Sequence, residues 1–466
     1  MLYFLITMSV VTSAVTGIAI KLILDRTQNP YEITWKEYAI VLVVISFLAA
    51  PGSVKLGWEF AKANKLTYGE YWNGWEVEAI KKQIECERDG DCECEYNCDP
   101  YIVMVSYSCN CNNKGNCSTC YRPETRYHSC PYVDVETDYI VRTTIGEYLI
   151  GNNRLPDDPQ KHRWRKNESI PESVIREAGT GPHPFWVAAK KRLDENLPGP
   201  VTKRVDYENY IYASDRTILK QYSGEIKKFS SNNLLPNVQS GISQFYYANK
   251  VYFVGFRPKE ADEWQRKLSY FNAALGRRLQ GDLHLVIIQN ELILNNPDEY
   301  AIALKAHWQD NERFEKNAFS KNAIAILIGT IDGKTISWAR AFTGMPMGNE
   351  ELSTAVVGKL KGLALDPGIV IGDVQGVLSK KAISEKHGKG VLEDIVFGIS
   401  EEETKFRRVS MTAKDRSDNG GGFLYLMTEI KPTPNQQILI VILTFVFCCF
   451  GWIAAVFIGD RAYHRY

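Results

Sequence analysis

Three uncharged apolar runs stand out in the pattern of hydrophobic and polar positions along the chain. They cover residues 1–20, 38–54 and 438–458, and none contains Asp, Glu, Lys or Arg. A helix of about 20 apolar residues crosses the ~30 Å hydrocarbon core of a bilayer, so the first and last runs are predicted to span a membrane. The middle run is shorter and contains Pro51-Gly52, which fits either a third span or a re-entrant helix.

The ends of these runs predict an orientation. The first run lacks the basic residues that precede the apolar part of a cleaved signal peptide. If all three runs span, one membrane side carries five nearby basic residues and the other carries four: Lys21, Arg26, Lys36, Arg461 and Arg465 against Lys55, Lys62, Lys65 and Lys431. The positive-inside rule then favours a cytoplasmic C-terminal tail and an extracytoplasmic segment 60–430.

Between residues 264 and 360 the spacing of apolar residues alternates between a helical pattern and a strand-like pattern. Stripes at helical spacing begin at Trp264, Tyr300 and Leu352, and two continuous apolar runs, 283–288 and 324–328, lie between them. Asp332-Gly333 is typical of a tight hairpin turn. The pattern predicts an α/β fold, a layered domain with a mixed sheet.

Three segments of this region resemble the TPM domain, a module of membrane-anchored thylakoid-lumen, periplasmic and synaptic proteins. They are Gly281-Asp282-Leu283-His284-Leu285-Val286-Ile287, Glu299-Tyr300-Ala301 with Trp308, and Asn322-Ala323-Ile324-Ala325-Ile326-Leu327-Ile328. The resemblance covers about residues 250–362 and implies a layered α/β domain held at a membrane. It also implies a divalent metal bound by acidic side chains at strand ends. Some members of the family are called acid phosphatases.

This chain has only some of the metal-binding residues that the resemblance implies. Where the family often has Asp or Asn followed by Gly, this chain has Lys321-Asn322-Ala323, and a lysine disfavours a cation. Asp282 and Asp332 are the candidate metal ligands, although each also fits a turn or cap role. No catalytic residue is singled out, because Gly-rich phosphate loops, His-Glu-x-x-His pairs and Gly-x-Ser-x-Gly elbows are absent from the sequence.

Nine of the eleven cysteines fall between residues 86 and 130: Cys86, Cys92, Cys94, Cys98, Cys109, Cys111, Cys117, Cys120 and Cys130. Outside the cytoplasm they would form disulfides, and their odd number leaves one thiol free or paired between chains. In a reducing compartment, Cys117-x-x-Cys120 with Cys109, Cys111 and His128 or Cys130 would suit a tetrahedral zinc ion. The predicted orientation favours disulfides, with zinc as the alternative.

Several shorter patterns complete the interpretation. Five aromatic residues after the second apolar run are interpreted as an interfacial belt: Trp58, Tyr68, Tyr71, Trp72 and Trp75. Residues 185–196 and 391–399 are predicted as helices, and 210–212, 250–256, 407–411 and 423–430 as strands. Lys plus Arg and Asp plus Glu both number 55, so no basic excess predicts nucleic-acid binding.

The sequence thus predicts five segments. They are a transmembrane helix at 1–24, a second transmembrane or re-entrant helix at 36–56, a cysteine-rich membrane-proximal module at 57–198, a TPM-like α/β domain at 205–430 and a transmembrane helix at 437–459. The expected partners are the lipid bilayer and other membrane proteins. We expect an interaction, assembly or accessory factor, and a metal-dependent phosphatase-type hydrolase is the alternative.

Overall fold

The computed structural model describes residues 1–26, 34–84, 92–109, 118–155, 182–214, 223–238, 245–372, 390–412 and 422–463. Its strands are β1 (Thr67–Ile84), β2 (Cys92–Cys109), β3 (Ser118–Thr143), β4 (Gly146–Leu155), β5 (Pro200–Glu208), β6 (Val251–Val254), β7 (Asp282–Ile288), β8 (Ala323–Thr330) and β9 (Ile336–Thr343). Its helices are α1 (Leu2–Arg26), α2 (Trp35–Leu66), α3 (Pro184–Asp194), α4 (Tyr210–Ala213), α5 (Ser223–Ser230), α6 (Ala261–Leu279), α7 (Glu291–Leu294), α8 (Pro297–Trp308), α9 (Asn311–Phe314), α10 (Glu350–Leu360), α11 (Pro367–Val370), α12 (Val391–Phe397) and α13 (Pro434–Tyr463).

Helices α1, α2 and α13 are each long and apolar enough to cross a membrane, and they pack against one another. The Tyr38 hydroxyl donates to the carbonyl of Gly17 at 2.7 Å, and its ring stacks on Trp452. A Cβ at Gly17 would overlap the Trp452 ring. Small residues that allow such close approach are the usual basis of helix association in lipid. We call these three helices the base.

The second apolar run forms one continuous helix through Pro51. A π-helical turn, Val44–Ala49, directly precedes the proline. Proline lacks an N–H and crowds the carbonyl four residues earlier, and a local π turn absorbs this mismatch without ending the helix. The proline therefore leaves α2 long enough to cross a membrane.

An antiparallel sheet continues directly from the base. Its strand order is β2-β3-β1-β5, and β4 pairs with the other side of β3. β1 begins at the residue after α2, runs beside β5 from Thr67 to Trp75, and then pairs with β3 from Glu76 to Ile84. The remaining length of β3 pairs with β2, which makes a two-stranded ribbon.

The second sheet is mixed and has helices on both faces. Its order is β6-β7-β8-β9, with β6, β7 and β8 parallel and β9 antiparallel. One face packs on α8 and the other on α6 and α10, which gives three layers. Every residue of β7 and β8 is buried, as expected for parallel strands covered on both faces. We call this layered unit the head.

The structure confirms the predicted α/β class, with apolar helices near both ends, and confirms that Asp332-Gly333 closes the β8–β9 hairpin. The helices predicted at 185–196 and 391–399 are also present, and the strand predicted at 250–256 is observed as β6, Val251–Val254. The predicted strands at 210–212, 407–411 and 423–430 are wrong, since the first is α4 and the last contains a 3₁₀ turn, Leu424–Thr428. Short apolar runs do not distinguish strands from buried helical turns.

The interfacial aromatic belt predicted after α2 is also wrong. Trp58 packs inside the base, and Tyr68 belongs to the core of the head. Trp75 is buried and its ring lies 4.5 Å from that of Tyr270 on α6. Tyr68 and Trp75 are buried because β1, which lies in the predicted module 57–198, docks on the predicted domain 205–430.

The crossing of β1 over α6 is unusually close at Gly276. A Cβ there would overlap the backbone of Asn73. We predict that Gly276→Ala lowers the free energy of unfolding by about 1–3 kcal/mol, because overpacking outweighs the gain in helix propensity.

Gly358 on α10 is the matched control, because a Cβ there meets no atom within 4 Å. Gly358→Ala should leave stability unchanged or raise it by up to about 1 kcal/mol. Thermal unfolding of both variants in detergent measures the contrast, and equal effects would contradict the close crossing.

Candidate functional site

A buried network of polar side chains lies at the N-terminal end of the parallel strands. Lys250 directly precedes β6, and Asp282 and His284 are on β7, so parallel pairing brings all three to the same end of the sheet. Asn73 reaches this end from β1. Lys250, Asp282 and Asn73 are fully buried, and His284 is 4% exposed.

The carboxylate of Asp282 is the centre of the network. Its Oδ1 accepts hydrogen bonds from Lys250 Nζ at 2.5 Å and from Asn73 Nδ2 at 2.8 Å. Its Oδ2 lies 3.1 Å from His284 Nε2, and the other ring nitrogen of His284 lies 3.2 Å from the Tyr252 hydroxyl. A neutral His284 satisfies both contacts when Nε2 carries the proton and Nδ1 accepts from Tyr252. Both oxygens of the carboxylate are therefore occupied.

The ammonium group of Lys250 is enclosed in the same way. Its Nζ lies 3.4 Å from Asn73 Oδ1, which also accepts from the Thr202 hydroxyl at 2.9 Å. The rings of Tyr71 and Tyr247 have their centroids 5.7 and 5.9 Å from Nζ, within the range of cation–π attraction. Both charges of the pair are thus compensated without water.

The environment fixes the charge states. Burial opposes ionisation of Asp282, but the charge of Lys250 and the hydrogen bond from His284 outweigh it and hold the pKa of the carboxyl below its ordinary value. Burial lowers the pKa of Lys250, and Asp282 opposes this shift. Burial also lowers the pKa of His284, so its ring is neutral at pH 7. The site is a closed Lys⁺–Asp⁻ pair with a neutral histidine.

The two candidate metal ligands lie at opposite ends of the mixed sheet. Asp282 pairs in register with Ala323 at the start of β8, whereas Asp332 follows the end of β8. Eight residues of strand separate these ends by roughly 25 Å. The two carboxylates therefore do not share an ion, and the described residues contain no group of three His, Cys, Asp or Glu side chains arranged to hold a metal.

Each candidate has a structural partner set of its own. Asp332 accepts backbone N–H bonds from Lys334 and Thr335, both at 2.8 Å, which lower its pKa to about 2. These are the bonds of a turn-forming aspartate. Asn322, also considered in the sequence, donates to the carbonyls of Tyr71 and Gln280 and so fastens β1 to the start of β8.

Two further buried acids on β1 have no signal in the sequence. Glu70 pairs with Arg408 and lies 3.8 Å from Lys321 Nζ. Glu76 pairs with Arg192 of α3 and accepts from the Gly199 N–H at 2.8 Å. Both carboxylates are fully buried. Their partners lie 116 and 338 positions away in sequence, so no local pattern reveals them.

A cleft of about 860 Å³ opens between β1, β3, α3 and α6. Its charged groups pair largely with each other: Arg142 with Glu78 at 2.7 Å, and Lys190 with Asp194 at 2.9 Å. The cleft therefore presents compensated charge rather than a strong field of either sign.

The structure tests the prediction of disulfides at one pair of cysteines. Cys109 and Cys120 form a disulfide with a Cα–Cα distance of 5.7 Å, which joins the ends of β2 and β3. Cys86, Cys111 and Cys117 lie outside the described residues. The strands contain Cys92, Cys94, Cys98 and Cys130, whose side chains lie outside the described part of the structure. The pairing of these seven stays a prediction.

The part of the β2–β3 ribbon formed by residues 100–106 and 121–127 has one face without a charged residue. Alternation along the paired strands places eight side chains on this face: Pro100, Ile102, Met104, Ser106, Tyr121, Pro123, Thr125 and Tyr127. Ile102 is 72% exposed, Tyr121 64% and Met104 58%. The opposite face carries Arg122, Glu124 and Arg126. We call the uncharged side the apolar ribbon face.

No known family matches this chain, and no curated protein or solved structure matches it.

We predict that Lys250→Met lowers the free energy of unfolding by about 3–5 kcal/mol, because it leaves Asp282 buried and unpaired. The double variant Lys250→Met/Asp282→Asn should cost less than the sum of the two single changes, with a coupling of about 1–3 kcal/mol. Denaturant unfolding of the four proteins in detergent measures this cycle.

Lys228→Met is the matched control, since Lys228 and Glu299 form an ion pair that is about half exposed. Its loss should cost no more than about 1 kcal/mol. Additive effects at Lys250 and Asp282 would contradict the description of these residues as one closed pair.

Proposed function

We propose that this chain is a multi-pass membrane protein that holds a TPM-like head outside the cytoplasmic membrane and acts as an interaction or assembly factor. The observation that carries the proposal is the apolar ribbon face, which belongs to the antiparallel sheet that continues from the base. A surface of exposed Ile, Met and Tyr side chains without charge is typical of a protein-binding site.

Contacts between the base and the head support an anchoring role. Leu66, the last residue of α2, is buried in the core of the head. Its carbonyl accepts from the Asn209 N–H at 2.9 Å, and Asn64 accepts from Lys316 at 2.7 Å. A head attached in this way holds a fixed orientation to its membrane helices, which suits a scaffold.

The disulfide supports an extracytoplasmic location. Disulfides persist in oxidising compartments and are rare in the cytosol, where thiols are kept reduced. The Cys109–Cys120 pair therefore favours the same side that the basic residues near the apolar runs favour.

The element order of the head supports the TPM-like part of the proposal. An apolar strand, β7, is followed by α8, which ends in Trp308, and then by the second apolar strand, β8. This is the succession on which the resemblance rests. It supports a layered domain held at a membrane and carries no reaction with it.

The alternative is a metal-dependent phosphatase-type hydrolase. Asp332 favours it, because this ionised and solvent-accessible carboxylate lies at the C-terminal end of β8, where open α/β sheets usually bind ligands. Asp282 does not contribute, since Lys250 and His284 occupy its oxygens. Phosphate release by the full chain with Mg²⁺, lost in Asp332→Asn, would establish the hydrolase in place of the interaction role.

Location is tested with a membrane-impermeant maleimide on intact cells. We expect labelling of the chain to rise strongly only after an external reductant opens the Cys109–Cys120 disulfide, because both thiols are outside and oxidised. The variant Cys109→Ser/Cys120→Ser gives the background from other cysteines. Thiols that react only after the cells are permeabilised would instead favour the reduced, zinc-binding arrangement.

The interaction role is tested in the host membrane. After solubilisation in mild detergent, we expect the wild-type chain to migrate in a complex heavier than one 52.9 kDa chain. Tyr121→Lys should release it, because a charge in the apolar ribbon face must be desolvated on binding. Ile331→Lys is the control, at an exposed apolar residue in the β8–β9 turn. Migration of the wild type as a single chain would contradict the role.

A further inference from the structure

Among the described residues, the outer edge of β2 after Pro100 lacks the charged side chains that usually protect an exposed strand. β2 is the terminal strand of its sheet and, among the described residues, pairs only with β3. Its last ten residues, 100–109, contain no charged side chain on either face and are rich in β-branched and aromatic residues. Such an edge presents a row of unpaired N–H and C=O groups and is a template for another strand.

Other long sheet edges in the described structure are protected. β4 carries Glu147, β5 carries Lys203, Arg204 and Asp206, and β9 carries Arg340. β6, which is uncharged, has only four residues. Charges and short length are the usual means of preventing edge-to-edge pairing. Among the strands that the structure describes, this contrast singles out β2 as the long edge without charge protection.

We infer that residues 100–109 of β2 pair with the same residues of a second copy of this chain, antiparallel about a two-fold axis. The inference rests on the proposed interaction role and names the partner. Antiparallel pairing of a strand with itself is self-complementary, as an isologous dimer requires. Because the segment is uncharged, no like charges face each other across the axis.

The faces of the joined ribbons also match. Ile102 and Met104 of each copy extend the apolar ribbon face into one surface across four strands. On the opposite face Glu124 lies 3.3 Å from Arg126, so this pair is already compensated. These charges are on β3, one strand away from the new junction. The pairing therefore brings apolar groups together without burying an unpaired charge.

The position of the ribbon favours a protein partner over the bilayer. β3 has 26 residues, a contour length of about 85 Å, and pairs with β1 only through residues 136–143. The rest of β3 continues past the end of β1 that is farther from α2. The apolar ribbon face thus belongs to the part of the sheet most distant along the strands from the membrane helices.

The mass of the purified full chain in detergent tests the inference. We expect light scattering to give two copies per particle at micromolar concentration. Met104→Lys should weaken dimerisation at least tenfold, and Ile331→Lys should not. Unchanged thermal unfolding of Met104→Lys shows that the chain still folds. A wild-type protein that stays a single chain, or a dimer that persists in Met104→Lys, overturns the inference.

Photo-crosslinking in membranes distinguishes the inference from the broader function. A photoreactive amino acid replaces Ser106, which is exposed on β2. We expect a product of twice the chain mass, with the crosslink joining β2 to β2. Crosslinks only to a different protein overturn self-pairing and leave the interaction role standing. No crosslink to any protein contradicts both.

Discussion

The Lys250–Asp282 ion pair is the interaction on which the rest of the structure depends. Removing two charges from water costs several kcal/mol per ion, and their attraction repays this only when the remaining hydrogen-bonding positions are filled. Here Asn73 fills a position on each partner, and Asn73 belongs to β1 rather than to the head. The head therefore completes its buried polar network only when the strand that follows α2 is docked on it.

β1 consequently connects the three parts of the described molecule. It continues directly from α2, it contributes Tyr68 to the core of the head, and it pairs with β3, which carries the ribbon. Its buried residue Glu70 pairs with Arg408, and its buried residue Glu76 pairs with Arg192 of α3. The ribbon is thus connected to α2 through β3 and β1, as the proposed interaction role requires.

The sequence predicted the parts whose signal is local. The length of each uncharged run defined the base, and the alternation of apolar runs and stripes defined the strands and helices of the head. Asp332 was recognised as a turn residue from its glycine neighbour alone. The docking of β1 was not predictable in this way, because Asn73 and Asp282 are 209 positions apart. Their pairing follows from topology, and no periodicity encodes it. The same separation explains why aromatic residues of β1 were assigned to the membrane surface and why Asp282 was considered a metal ligand.

Amide hydrogen exchange along β1 tests the central claim most directly. If the buried ion pair fastens β1 to the head, the amides of residues 71–75 open with the same free energy as those of β7, because the two strands unfold together. Exchange of residues 71–75 at a much lower opening free energy, with β7 still protected, would show that β1 detaches on its own. That result would contradict the account of β1 as the strand that connects the base, the head and the ribbon.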